Sequence, residues 1–462
     1  MIQLRLQATP NSLPIKVLSL SLPLLCNITQ FLILFRNFFY IQFFLVILLV
    51  IGITVRSQIS TSHNRHFHPL KYLLSLLAST ACGGISGIAW YILTLISSSR
   101  TLRMAFWLSP LLTCGVGVLL ISIGSTRDLA VAVIALLSAV ILSLYACWVS
   151  PRFSHAIRVL LVSAASPSAK TTVLVILSII TSTLYSAFLV AGIGGATATR
   201  TGTLDALFIL IILLSLSWTM HVIKNTLQVT ISRVKYMNFA GMDNLDIIAA
   251  FHDTMDISFG SICMASAMLP ILGLVRGSAR AMSLVSGDAD EFMFSCANCY
   301  SGFASRLVMY GNRWGLVHIG IYNKGFVQAS TDTWKMFQRV GLEPLIDSDL
   351  TSSFCFLCGV AGGAVCALVG GSWALVVHNG YATEISIYAF LVGYFMCRVA
   401  MAWPQACVSA YLVAYAENPQ GPHFGSMIPD RLQELQRAHA QQEETTNSTQ
   451  VLPPEDPESL SE

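Results

Sequence analysis

Charge is scarce in this chain. Only 11% of its 462 residues are Asp, Glu, Lys or Arg, and the formal net charge is +3. No long Lys/Arg block is present, which argues against a nucleic-acid partner. Catalytic signatures are missing as well. There is no phosphate-binding GxxxxGK[ST] loop, no HExxH pair and no GxSxG elbow, so nothing points to an enzyme. Nothing calls for a cofactor or a metal. A cleavable signal is not evident, because Pro14, Lys16 and Pro23 interrupt the apolar stretch 13–26.

Twelve cysteines are present, but Cys82, Cys114, Cys147, Cys263, Cys366, Cys397 and Cys407 lie in apolar runs, where they act as small apolar residues. Two CxxC pairs occur. Cys355 and Cys358 open an apolar run and read as packing residues. Cys296 and Cys299 would be half of a zinc site with no second half at ribbon spacing, so they read as plain thiols or lipidation sites near a membrane surface.

What the chain does have is apolar length. Hydrophobic residues make up 55% of it, with a mean hydropathy of +0.68. Runs such as Thr172–Gly192, Ala206–Trp218 and Ile385–Val413 are bilayer-sized. A hydrocarbon core of about 30 Å needs roughly 20 residues of helix, and backbone groups in lipid must be satisfied within the segment. The chain is therefore expected to be an all-α, polytopic membrane helical bundle. Nine spans are legible, near 38–55, 72–97, 104–124, 128–148, 171–193, 205–230, 257–278, 353–378 and 384–413.

This divides the chain into an N-terminal segment 1–30, seven spans within 31–278, a region 279–352, two last spans within 353–415 and a tail 416–462. Region 279–352 is charged, and its apolar residues recur at helical intervals, as in Trp314, Val317 and Ile321. That suits amphipathic helices at the interface. Arg276 and Arg280 favour its cytosolic side. The tail is polar and acidic at its end, expected in the cytosol and partly disordered. Two cytosolic ends require an even number of crossings. About ten is the expected total, with residues 13–30 or part of 279–352 supplying the extra one, unless one end is external.

Ionisable residues inside spans need a reason. Lys224 lies in a polar stripe with Asn225 and Gln228, and either lines a water-filled path or snorkels to the interface. Arg398 stands mid-span and serves either a structural ion pair or transport. Intramembrane carboxylates are few; Asp256 and Glu384 suit vestibules near membrane edges.

Several stretches carry a family resemblance. They are Phe259-Gly-Ser-Ile-Cys263, the segment Asn312–Phe326, Pro344–Thr351, Tyr388–Tyr394 and Ala416-Glu-Asn-Pro419. In this order and spacing they resemble the choline transporter-like family, solute carrier family 44. Trp218–Asn225 looks like the family's Trp-containing span. The short connection between the first two spans is similar to the plant and fungal branch. Gly315-Leu316, His318 and Arg398 depart from the family pattern.

The resemblance implies facilitated transport of choline or a related amino-alcohol cation across a membrane, the plasma membrane by expectation, by alternating access. A trimethylammonium group is recognised by aromatic faces, and Trp90, Trp218, Tyr388, Tyr394 and Trp403 are the candidate substrate-binding residues. Lys224, Asn225, Gln228 and Arg398 are candidate pathway residues. The partners expected are that small cation and the bilayer; the oligomeric state stays open. Two other readings stand beside this one: transport or channelling of another solute, of which an anionic one would suit Lys224 and Arg398, and a non-transporting scaffold or lipid-handling protein.

Overall fold

The computed structural model describes residues 15–61, 69–285, 300–421 and 428–435, with 424 and 437, apart from 125, 166, 198–202, 243–244, 301, 304–305 and 378. Side chains of 15–29 are not described. Cys296, Cys299, the acidic residues 288–291, the Asn447 sequon and most of the tail therefore lie outside the described residues.

The described chain is helical, with no strand among the described residues. In order, its helices are α1 (Ile15–Thr61), α2 (Pro69–Ile123), α3 (Thr126–Val149), α4 (Phe153–Ser163), α5 (Ala169–Thr197), α6 (Thr203–Phe239), α7 (Ile247–Asp253), α8 (Phe259–Val285), α9 (Gly315–Tyr322), α10 (Phe326–Val340), α11 (Glu343–Asp347), α12 (Thr351–Val377), α13 (Ala382–Ala400) and α14 (Ala402–Glu417). Eight helical segments among the described residues are long and apolar enough to cross a bilayer. Hydroxyls inside them donate to the carbonyl one turn back, as Thr80 does to Leu76 at 2.8 Å and Thr183 to Ile179 at 2.8 Å. Many of the span Ser and Thr are satisfied in this way, whereas the buried hydroxyls of Ser109, Ser182, Ser186 and Thr383 have no partner among the described residues.

Helix α2 is two crossings in one. Ser97 leaves the helical conformation (φ −154°, ψ 74°). Ser79 packs against Gly370 of α12 and Leu119 against the adjacent Gly371. On a straight helix those two residues would be about 60 Å apart, so the chain folds back at Ser97. Thr101 Oγ1 donates to the carbonyls of Leu93 (2.8 Å) and Ser97 (2.9 Å), satisfying groups the break exposes. The spans expected at 72–97 and 104–124 are the two legs of this hairpin.

The centre of the bundle is α2, α12 and α13, drawn together by small residues. A Cβ on Gly393 would sit 2.5 Å from Cys366 Sγ and 2.9 Å from the Gly362 carbonyl, so the two backbones approach as only glycine allows. Cys355 and Cys358 are fully buried in this region, in keeping with a packing role.

The span expected at 384–413 is instead two helices. It breaks at Met401 because Pro404 cannot donate to the carbonyl of Ala400, and its ring opposes a continuous turn. Cys355 Sγ donates to the Met401 carbonyl at 3.5 Å. Helices α13 and α14 run beside α6 in the same direction: Phe395 meets His221, and further along Tyr411 meets Phe239.

Around α14 lies a second core, shared by α4, the end of α6, α9, α10 and α11, with Trp403, Tyr411, Phe153, Trp314 and Phe337 inside it. Helix α10 is amphipathic, burying Phe326, Ala329, Ser330, Thr333 and Phe337 on one face. Helix α9 differs from the expected interfacial helix, since Gly315–Gly320 are all buried. Two left-handed residues, Asn323 (φ 51°) and Gly341 (φ 70°), end α9 and α10.

Candidate functional site

A groove of about 780 Å³ lies between α1, α5, α6, α7 and the start of α8. Phe39, Phe43, Tyr185, Phe251 and Phe259 supply aromatic wall. Phe43 stacks on Tyr185 with ring centroids 5.7 Å apart, and Phe39 meets Phe259 edge-on at 5.7 Å. Ser178, Thr181, Thr219 and Thr226 add hydroxyls to the lining, and the Tyr185 hydroxyl bonds Ser215 (2.9 Å) and Thr219 (3.2 Å). No carboxylate lines the groove among the described residues. Between α7 and α8, Thr254–Ser258 form a π-turn. That extra residue per turn re-aims the following side chains, and such turns recur at functional sites. At one end Lys170 pairs with Asp246 at 3.1 Å and holds its carboxyl below the usual carboxylate range.

Trp218, one of the expected substrate residues, stands behind this wall. Its ring lies 5.5 Å from Phe39 and 5.4 Å from Phe38, and its indole N–H donates to the Cys263 carbonyl at 3.2 Å. The other four candidates are spread through the bundle. Trp90 borders a separate cavity of about 150 Å³ between the legs of α2 and α12. Trp403 is buried edge-on against Tyr91 at 5.6 Å. Tyr388 packs in the apolar cluster of α1, α5, α6 and α13. Tyr394 stacks on Phe390 at 6.4 Å and meets Phe356 and Phe395.

The expected pathway residues follow the register of α6. Residues 221, 224 and 228 form one stripe, and the contact of His221 with Phe395 at 5.6 Å turns that stripe toward α13. Lys224 is buried and within electrostatic reach of Arg398. Gln228 is wholly buried. Asn225 lies on the neighbouring face and donates to Ser266 of α8 at 2.9 Å. Lys224 therefore faces the bundle interior rather than a membrane surface. Asp256 is exposed and paired with His252 at 3.1 Å.

Sequence reading missed two polar knots. Arg313 pairs with Asp349, whose other oxygen accepts from the backbone N–H (2.9 Å) and hydroxyl (2.6 Å) of Thr351, capping α12. Glu417, at the end of α14, gathers Tyr236, Tyr322 and His318. The signal was present in Asp-Leu-Thr and Ala-Glu-Asn-Pro, but the partners are far away in the chain. The groove residues Phe43 and Tyr185 were missed too, since single aromatics in apolar runs carry no local mark.

The arrangement is a helical membrane bundle with cavities, broken helices and buried polar residues. The chain is 25% identical to Protein pns1 of Aspergillus fumigatus over 219 residues, which is 44% of this chain and 41% of that protein. It is 27% identical to Protein PNS1 of Mycosarcoma maydis over 220 residues, 44% of this chain and 41% of that one. A CTL-like protein of Dictyostelium discoideum is 23% identical over 221 residues, 43% of this chain and 40% of that protein. The chain thus spans less than half the length of these relatives. The sequence model described as "Plasma-membrane choline transporter" matches residues 133–420, more than half of the chain. The chain belongs to the plasma-membrane choline transporter family.

Proposed function

We propose that this multi-pass membrane protein carries choline or a related amino-alcohol cation by alternating access, at the plasma membrane and with its tail in the cytosol. The observation that supports this reading is the aromatic wall of the groove, where the one lining cation, Lys170, is paired with Asp246. A trimethylammonium head offers no hydrogen-bond donor and is attracted to ring faces. Phe39, Phe43, Tyr185 and Phe259 provide such faces, with Trp218 holding Phe39 from behind. The hydroxyls of Thr219 and Thr226 suit the alcohol end of the solute. The breaks at Ser97 and Met401 and the π-turn at 254–258 are places where the bundle can rock about a central site.

The test is radiolabelled choline flux into proteoliposomes, with ethanolamine and anionic solutes as competitors. Saturable choline uptake inhibited by ethanolamine is expected. Uptake inhibited only by anions would instead favour an anionic solute. No flux at all, together with capture of a cytosolic partner, would favour the scaffold reading.

A further inference from the structure

Lys224 and Arg398 place two cationic side chains in the middle of a bundle meant for lipid. Neither meets a carboxylate among the described residues. The nearby charges are few. Arg313 lies in the same electrostatic neighbourhood and is paired with Asp349, whose oxygens are already taken by Arg313 and Thr351. His221, Cys355 and Cys358 are the other titratable groups coupled to the pair among the described residues.

The donors there lack partners. Arg398 Nη1 is buried and bonded to nothing among the described residues. Gln228, wholly buried, has both amide atoms unpartnered. Gln228 follows Lys224 by four residues and so stands one turn along the same face of α6. Arg398 and Phe395, three residues apart, form the facing stripe of α13. The arginine is held in place. Its Cβ–Cγ–Cδ stem crosses Gly359 of α12, where an added Cβ would come within 3.0 Å of Cγ and Cδ. The stripe ends at the Met401 break, where α14 begins with backbone N–H groups that no side chain caps.

Removing one partner of a buried charge leaves a large desolvation cost, and a like charge within electrostatic reach adds to it. A small anion removes both costs at once, and unpartnered N–H donors are what it needs. We infer that the bundle centre holds a small anion between Lys224 and Arg398, with Gln228 Nε2 as a neutral third donor. The site is distinct from the aromatic groove, and the inference holds whatever the transported solute is.

The test uses the full chain purified in detergent, followed by thermal unfolding through tryptophan fluorescence. Sodium gluconate is replaced stepwise by sodium chloride at constant ionic strength, and in a second series by sodium formate. The wild type is expected to gain stability saturably. Saturation with chloride alone identifies an inorganic ion, and saturation with formate identifies a carboxylate group. Arg398→Leu should abolish the dependence and, in gluconate, be at least as stable as the wild type. Lys224→Met should weaken the apparent affinity about tenfold or more, and Arg398→Lys should retain a weakened response. Should Arg398→Leu fail to purify, Lys224→Met carries the comparison. A wild type with no saturable response to either anion overturns the inference, as does a response unchanged in the variants.

Discussion

His318 Nε2 lies 3.3 Å from Glu417 Oε1, joining a buried helix of the 279–352 region to the end of α14. Glu417 also accepts from the hydroxyls of Tyr236 on α6 and Tyr322 on α9, the latter at 3.1 Å. One carboxylate therefore ties three helices that are up to 181 residues apart in the chain. The partner of His318 in space is this glutamate.

That knot makes stability depend on acid. Burial raises the Glu417 carboxyl, but the bonds from His318, Tyr236 and Tyr322 outweigh it and hold it below its ordinary value of 4.5. A group depressed in the folded state stabilises fully above its unfolded value and loses that contribution as pH falls through the folded one. Thermal stability of the wild type should fall on acidification below about 4.5. Glu417→Gln should lower stability at neutral pH by about 1–3 kcal/mol and show a shallower acid slope. Parallel slopes in unfolding measured from pH 7 downward would remove the knot from the account.

The α12–α13 contact predicts intolerance to a single methyl group. Gly393→Ala should destabilise by about 1–3 kcal/mol through overpacking against Cys366 and the Gly362 carbonyl. Gly273, whose Cβ position has nothing within 4 Å, is the control. Thermal unfolding of Gly393→Ala and Gly273→Ala in the same detergent makes the comparison, and equal melting would contradict the tight approach.

Groove aromatics set affinity if choline is the solute. Phe43→Leu, Tyr185→Leu and Trp218→Leu should each raise the half-saturating concentration roughly threefold to thirtyfold, as loss of about 0.5–2 kcal/mol implies. Trp218→Phe keeps a π face but loses the bond to the Cys263 carbonyl, so its effect should fall between wild type and Leu. Tyr394→Leu tests the alternative position near Gly359. A shift in Tyr394→Leu alone would move the site from the groove to α13. Uptake kinetics at matched surface expression supply the measurement.

Orientation can be read from glycans. Asn27-Ile-Thr29 and Asn447-Ser-Thr449 are acceptor sequons. With the tail in the cytosol, Asn447 should never be modified in a eukaryotic membrane preparation. A glycan at Asn27 would place the N-terminal side outside and settle the odd number of crossings. Mass shift on deglycosylation, read for Asn27→Gln and Asn447→Gln, distinguishes the two.

Much of this protein follows from its sequence alone. Apolar runs longer than a bilayer, nearly free of charge, leave the backbone no alternative to helices, so the all-helical polytopic bundle and the family could be read from the order of residues. Tertiary structure decided the rest. In lipid both the core-facing and the outward-facing sides of a helix are apolar, so hydropathy does not mark which face packs where. Only packing showed that Lys224 turns inward to Arg398, that Ser97 folds α2 back on itself and that the last span breaks at Met401. The aromatic groove is assembled from α1, α5, α6, α7 and α8, with Phe43 and Tyr185, 142 positions apart in the chain, brought into contact only by the fold. A knot such as Glu417 with His318 depends on distances between remote helices, which no local pattern encodes.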